Sequence, residues 1–198
     1  MQYPIYQNQE FSGHTMKTAE RMFREWGSQQ LHTVIDCGAW IGQFALLCPE
    51  AEAVHCFEPN PETQPILRNN VAQQRNVHLH YEALSDRAGT TSLRYDTHSG
   101  TCHMWSEGHA DNIPVRTLDS YEFENVDMIK IDVEGMELPL LKGAEHTIRT
   151  WRPWICIERN QTSQRYGRAK AEALRLLVEW GMWTRFKLWP DTVMDWRP

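Results

Sequence analysis

Apolar and polar positions along the chain follow two periods, one typical of strands and one typical of helices. Two kinds of pattern predict strands: alternation of apolar and polar residues at Val77–Tyr81, and short strand-like runs elsewhere. The other predicted strands are Thr33–Ile35, Ala53–Phe57, Thr91–Tyr95, Met128–Val133 and Trp154–Glu158, with two final strands near Trp183–Leu188 and Thr192–Asp195. Several of these runs end in a polar or glycine-rich turn, which is typical of a strand that leads into a connection.

Helical spacing is clearest near the beginning of the chain. Between Met16 and Trp26, the residues Ala19, Met22, Phe23 and Trp26 share one apolar stripe. Further helices are predicted around Leu46–Leu47 and over about Glu62–Gln73, Pro139–Thr150 and Ala169–Trp180. Strands that alternate with helices of this length predict an α/β fold with a mostly parallel sheet, and the last strand pair predicts one antiparallel edge strand.

The chain length fits one domain. At 198 residues it is long enough for a sizeable core, so residues 1–198 are interpreted as a single unit. Residues 1–30 form a predicted N-terminal helical or lid segment. Residues 96–112 have no consistent period and are predicted to be a substrate loop.

The charge and the cysteine content of the chain limit the kinds of binding partner and the cellular compartment that we expect. The net charge of −6 argues against binding to nucleic acid or to an anionic membrane surface. Five cysteines, an odd number, favour a reducing, cytoplasmic compartment over a disulfide framework. The first residues resemble no signal peptide, and no apolar run reaches the roughly 18 residues of a membrane helix.

A glycine turn joins the first strand to the short helix predicted around Leu46–Leu47. The segment VIDCGAWIGQF places Gly38 and Gly42 where the backbone turns sharply, and Trp40 stands where a dinucleotide fingerprint needs a glycine. NAD is therefore disfavoured. Glu58 ends the next strand, where a carboxylate can bind both hydroxyls of a ribose. Together these features favour a nucleoside cofactor without a phosphate, with S-adenosylmethionine as the candidate; an ordinary strand–helix connection is the alternative.

The chain resembles the FkbM family of class I methyltransferases. The resemblance rests on VIDCGAWIGQF, CFEPNP, EALSDRAG, VRTLDS, DMIKIDVEGMELPLLKGAE and PWICIE, which together span roughly Thr33 to Glu158. It implies a Rossmann-like, seven-stranded sheet with one antiparallel strand, and O-methylation of sugars or other small metabolites. It also implies cofactor-binding residues in three groups: Asp36, Gly38, Ala39 and Gly42 at the methionine part, Glu58 and Pro59 at the ribose, and Glu82 and Ala83 at the adenine.

The segment DMIKIDVEGME is unusually charged for a buried strand. Methyl transfer to a hydroxyl is an in-line displacement that needs a base near the methyl donor. Because parallel strands present ligands at their carboxyl ends, Asp132 is the first choice for contact near the donor. Glu134 and Glu158 are candidates for the base, and His14 is a weaker one.

Some charged residues of this segment can also be explained by structural roles instead of catalysis. Lys130 lies in mid-strand, so a buried ion pair, with Asp36 as a candidate partner, is favoured over catalysis. Glu137 is expected to belong to the next helix. Three acids at strand ends have the chemistry for Mg²⁺, but no spacing demands a metal and none is predicted.

Two further segments carry chemistry in weaker patterns. The histidines and cysteine of the loop, His98, Cys102, His103 and His109, match no familiar zinc spacing. A basic cluster at Arg165–Lys170 is interpreted as the solvated start of a helix. The alternative is that the cluster binds an acidic group of the substrate.

The predicted function is therefore an S-adenosylmethionine-dependent methyltransferase that acts on a small-molecule or glycan hydroxyl. A degenerate fold that only binds the cofactor and a methyltransferase for nucleic acid or protein are the alternatives, and an NAD oxidoreductase is disfavoured by Trp40.

Overall fold

The computed structural model describes residues 13–95, 102–105, 112–158 and 171–196, with side chains described for most of them. The helices are α1 (Gly13–Trp26), α2 (Gln64–Asn70), α3 (Glu137–Lys142), α4 (Glu145–Trp151) and α5 (Glu172–Glu179), with short 3₁₀ turns at Ala45–Leu47 and Leu118–Tyr121. The strands are β1 (Thr33–Cys37), β2 (Ala53–Phe57), β3 (Val77–His80), β4 (Ala83–Leu84), β5 (Gly89–Tyr95), β6 (Cys102–Trp105), β7 (Ile113–Arg116), β8 (Val126–Ile131), β9 (Trp154–Glu158), β10 (Met182–Leu188) and β11 (Asp191–Trp196).

Seven strands form the main sheet, in the order β10-β11-β9-β8-β1-β2-β3. The pairs β8–β1, β1–β2, β2–β3 and β8–β9 are parallel, whereas β11 runs antiparallel to both of its neighbours. The chain therefore has the predicted mostly parallel sheet with one antiparallel strand. The prediction that the antiparallel strand lies at the edge of the sheet is wrong. The antiparallel strand is β11, and β10 pairs along its outer side and forms the edge.

Alternate residues of the strands enter two separate cores. On one face, Val34 of β1 and Met128 of β8 pack with Met22 of α1 and Leu67 of α2. On the other face, Ile35 and Ile129 pack with residues of α3, α4 and α5. Because neighbouring side chains of a strand point to opposite faces, a strand buried on both faces needs a continuous apolar run. This explains why the strand positions were predictable.

A second sheet of four strands has the order β4-β7-β5-β6. It comes from the chain between β3 and β8, where only the strand at Thr91–Tyr95 was predicted. The prediction of a loop over residues 96–112 is wrong at Cys102–Trp105, because these residues pair with β5 in an antiparallel ladder.

Two predicted helices differ in form from the prediction. The helix after the glycine turn is a single 3₁₀ turn at Ala45–Leu47. The helix predicted over Pro139–Thr150 divides into α3 and α4 at Gly143. A Cβ on Gly143 would lie 2.0 Å from the carbonyl oxygen of Ser85, so only glycine permits this close approach.

The stripe predicted for the first helix is confirmed. Ala19 and Met22 of α1 are fully buried, and Phe23 and Trp26 pack against the same core. None of the helices in the described ranges has the length and hydrophobicity that crossing a membrane requires.

Candidate active site

The candidate site residues gather at one edge of the main sheet. Parallel strands end on the same side, so the residues that follow β1, β2, β3, β8 and β9 become neighbours. The sequence-predicted residues found at or beside this edge are Asp36, Gly38, Ala39, Gly42, Glu58, Pro59, Glu82, Ala83, Asp132, Glu134 and Glu158.

Gly38 brings the turn after β1 against β8. Its φ of +80° lies in the left-handed region, and a Cβ at this position would lie 1.9 Å from the carbonyl oxygen of Asp132. The backbone N–H groups of Gly38 and Ala39 both donate to the carbonyl of Phe57, each at 3.0 Å. The turn is therefore fixed between β2 and β8, and no side chain fits at Gly38.

Gly42 serves a different purpose in the same turn. Its φ is +89°, and a Cβ would lie 2.9 Å from side-chain atoms of Leu67 and Val71. Gly42 therefore allows α2 and Val71, the residue that follows it, to pack closely against the turn. This contact does not bear on the predicted role of Gly42 in cofactor binding.

Glu58 is held at the end of β2 by two backbone donors. It is only 7% exposed. One carboxylate oxygen accepts from the N–H of Trp40 at 2.7 Å and the other from the N–H of Asn60 at 2.9 Å. Burial raises the pKa of Glu58 to about 7, although both hydrogen bonds act in the opposite direction. Trp40, with φ +48°, thus contributes its backbone to this arrangement.

Glu82 lies just beyond β3, next to Tyr121. The Oε2 atom of Glu82 and the hydroxyl of Tyr121 are both buried, and neither has a hydrogen-bond partner of good geometry in the described part of the chain. Burial and the charge of Glu82 raise the pKa of Tyr121 to about 12. Ala83 is buried and pairs with Val115 through β4. Glu82 therefore offers a buried acceptor at this end of the site.

Lys130 forms the predicted buried ion pair with Asp36. Its Nζ lies 3.3 Å from Oδ1 of Asp36 and 3.5 Å from Oδ2 of Asp132, and it donates to the carbonyl of Gly38 at 2.6 Å. Burial opposes the charge on Lys130, but the two carboxylates outweigh it and raise its pKa. Asp36 is fully buried, and the ammonium group of Lys130 lies between its carboxylate and that of Asp132.

Three candidate catalytic acids lie near one another at the ends of β8 and β9. The carboxyl group of Glu158 hydrogen-bonds to that of Asp132, which requires one proton between them. Burial and the neighbouring charges of Asp132, Glu134 and Asp191 raise the pKa of Glu158 to about 9. Glu134 has a left-handed backbone with φ +52°, followed by Gly135 at +104°. The pair Asp132–Glu158 therefore retains a proton at pH values at which an exposed carboxyl group has lost it.

Sequence reasoning missed Asp191 and the contact between Lys130 and Gly38. Asp191 begins β11 opposite Glu158 and accepts a 2.7 Å hydrogen bond from the buried hydroxyl of Thr18. No local pattern marks either feature, because both depend on which strands become neighbours.

Other predicted residues have simpler outcomes. Glu137 begins α3, as predicted, and accepts a hydrogen bond from the N–H of Gly135 at 2.8 Å. His14 falls within α1, but its side chain lies outside the described residues, as do His98, His109 and the basic cluster at residues 165–170. Within the described ranges, no three His, Cys, Asp or Glu side chains form a group suited to a metal ion.

Comparison with known sequences gives a consistent family assignment. Residues 36–182 match the family model described as the methyltransferase FkbM domain. Hexuronic acid methyltransferase AglP of Haloferax volcanii is 31% identical over 125 residues, which cover 58% of this chain and 51% of AglP. The 2-O-methyltransferase NoeI of Sinorhizobium fredii is 24% identical over 133 residues, 56% of this chain and 54% of NoeI. The matches thus span about half the length of these curated relatives.

Solved structures share the fold. An FkbM methyltransferase from Methylobacillus flagellatus superposes with a TM-score of 0.57 at 20% identity, covering 88% of this chain and 46% of that protein. A Streptococcus mutans protein crystallised in complex with SAH has a TM-score of 0.54 at 11% identity, covering 93% and 97% of the two chains. The family model covers most of the chain, and its matched region includes the glycine turn and all three candidate catalytic acids. The chain belongs to the family of methyltransferase FkbM domains.

Proposed function

We propose that this chain binds S-adenosylmethionine at the carboxyl edge of the main sheet and transfers its methyl group to a hydroxyl of a sugar or another small molecule. The hydrogen-bonded pair Asp132–Glu158 carries the proposal, because it places a carboxyl group that can accept a proton at the carboxyl edge of the sheet in a member of a methyltransferase family. The names of the two curated relatives, a hexuronic acid methyltransferase and a 2-O-methyltransferase, support a sugar acceptor.

The cofactor would lie along the ends of β1, β2 and β3. The methionine part would meet Gly38, Ala39 and Gly42, the ribose would meet Glu58 and Pro59, and the adenine would meet Glu82 and Ala83. Asp36, which is fully buried, would act through Lys130 rather than by contact.

The chemistry of the acceptors in the crevice fits a nucleoside. Each carboxylate oxygen has two lone pairs, so Glu58 keeps acceptor capacity for two ribose hydroxyls after binding Trp40 and Asn60. The carboxylate of Glu82, buried beside the hydroxyl of Tyr121, is an acceptor that suits a donor such as the adenine amino group.

The bound cofactor would supply a methyl group on a positively charged sulfur. In the proposed transfer, the hydroxyl oxygen of the acceptor would take the methyl group from the sulfur, and Glu158 would accept the hydroxyl proton. Asp132, the hydrogen-bond partner of Glu158, and Glu134 raise the proton affinity of Glu158, which makes it a stronger base once it is ionised. Asp132 would also lie nearest the methyl donor.

The cellular setting is part of the proposal. Cys37, Cys48, Cys56 and Cys156 are free and buried, as expected of a protein from a reducing, cytoplasmic compartment. The net charge of −6 supports a small-molecule or glycan acceptor over nucleic acid.

A labelled-methyl assay tests the proposed function. Purified protein, with labelled S-adenosylmethionine and a panel of hexuronic acids, neutral sugars and their glycosides, should label at least one sugar. Glu158→Gln should lower that rate by about 100-fold or more, as expected when a general base is removed, whereas Glu145→Gln, on the exposed side of α4, serves as the control. Binding of the cofactor without transfer to any acceptor would favour the degenerate, binding-only alternative.

A further inference from the structure

The ammonium group of Lys130 contacts three acceptors from two chain segments. It donates to the carbonyl of Gly38 at 2.6 Å and lies 3.3 Å from Asp36 and 3.5 Å from Asp132. Asp36 and Gly38 belong to β1 and its turn, whereas Asp132 follows β8. The contact with the Gly38 carbonyl is a hydrogen bond, and the contacts with the two carboxylates are ion pairs.

A purely structural ion pair needs fewer contacts. Asp36 alone would balance the buried charge, and it is the cross-strand partner of Lys130 in the β1–β8 ladder. The shortest contact instead goes to a neutral carbonyl in the glycine turn. Neither carboxylate oxygen of Asp36 has a hydrogen bond of good geometry among the described residues, so the ion pair with Lys130 is the contact that balances its buried charge.

The contacts of Lys130 fix one side of the turn peptide, and β2 fixes the other. The N–H of Gly38 donates to Phe57, and its carbonyl accepts from Lys130. The backbone N–H of Asp132 donates to Cys37, one residue before Gly38. Lys130 is therefore the side chain that links the turn to the carboxylate of Asp132.

We propose that Lys130 is a positioning residue for the methyl donor, which sets the turn at Gly38 and the carboxylate of Asp132 at a fixed separation. This inference rests on the proposed function and extends it, since it assigns a role in donor binding to a residue that touches neither the donor nor the acceptor. Misplacement of a reacting group by about 1 Å can cost about 100-fold in rate, so such a link has a measurable effect.

The obvious variant, Lys130→Met, leaves Asp36 as a buried charge without a partner and is expected to be unstable. The double variant Asp36→Asn/Lys130→Met removes both charges, and replacing a whole buried pair is often neutral for stability. This double variant therefore separates the structural role of the pair from the positioning role. Lys187→Met, on the exposed side of β10, is the matched control.

The experiment measures urea unfolding and the calorimetric binding of S-adenosylhomocysteine for the wild type, both single variants at Asp36 and Lys130, the double variant, Lys130→Arg and the control. We expect the double variant to unfold at nearly the wild-type urea concentration but to bind at least about tenfold more weakly, with a matching rise in KM for the donor. Lys130→Arg should recover part of the affinity, since it keeps the charge but not the compact geometry.

Wild-type affinity in the folded double variant would overturn the inference and leave Lys130 as a structural ion-pair residue. Wild-type protein that is folded but binds no S-adenosylhomocysteine would overturn the proposed function, and this inference with it.

Discussion

A Cβ atom on Gly38 would lie 1.9 Å from the carbonyl oxygen of Asp132. The end of β8 therefore occupies the space that the side chain of any other residue at position 38 would need. Gly38 also has a φ of +80°, which costs other residues about 1–2 kcal/mol. The tight approach of these two segments is what places the acids of β8 next to the turn.

Gly38→Ala should therefore lower the free energy of unfolding by more than about 3 kcal/mol, because a backbone clash adds to the strain of φ. Gly27→Ala is the matched control, since Gly27 has a similar φ of +75° but nothing within 4 Å of its Cβ. It should lose only about 1–2 kcal/mol in urea unfolding. Equal losses for the two variants would mean that the contact with Asp132 is not close.

Much of the main sheet was predictable because its strands are buried on both faces. The run at Ala53–Phe57 was predicted with the bounds that the structure has, and so was Trp154–Glu158. The second sheet was largely missed, because β4 has two residues and β7 contains Pro114, which gives no alternating pattern. The break of the long helix at Gly143 depends on Ser85, which is distant in sequence.

The candidate site was predictable in position but less so in its contacts. Strand ends identified Glu58, Asp132 and Glu158 as neighbours of a crevice, since parallel strands end together. The link from Lys130 to Gly38, and the place of Asp191 opposite Glu158, depend on strand order and register. These are set by tertiary packing, which no local pattern records.

Glu158 should make stability fall as the pH rises. Its pKa is raised to about 9 by burial and by Asp132, Glu134 and Asp191, so the folded state retains a proton that the unfolded chain releases near pH 4.5. The stabilisation is complete at low pH and is lost as the pH rises toward 9. The range from pH 7 to 9 lies above the pKa of about 7 of Glu58, so Glu58 contributes little to the change there. In this range the wild type should lose more thermal stability than Glu158→Gln. Parallel melting-temperature curves for the two proteins would contradict the raised pKa.

The same residue predicts the pH dependence of the reaction. If Glu158 accepts the hydroxyl proton, kcat/KM should rise with pH from 6 to about 9 as Glu158 ionises, and this rise should disappear in Glu158→Gln. Glu145→Gln should keep the wild-type profile. A wild-type profile that is flat over this range would exclude Glu158 as the base.

His55 should lower stability in acid. Burial, with the neighbouring His80 and His78, lowers the pKa of His55 to about 4. In the unfolded chain His55 binds a proton near pH 6.5, whereas in the folded state it stays neutral until about pH 4. Stability is therefore lost as the pH falls from 6.5 toward 4. His55→Phe should reduce this loss in urea titrations, whereas His146→Phe, at an exposed position, should leave it unchanged. The idea fails if both variants behave as the wild type does.

Calorimetric titration with S-adenosylhomocysteine tests the central claim, a nucleoside site at the carboxyl edge of the sheet. We expect micromolar binding by the wild type and at least about tenfold weaker binding by Glu58→Gln, which loses acceptors for the ribose hydroxyls. Glu62→Gln, at an exposed position in the same turn, should bind as the wild type does. Folded wild-type protein that produces no binding heat, or a Glu58→Gln variant with wild-type affinity, would contradict the account.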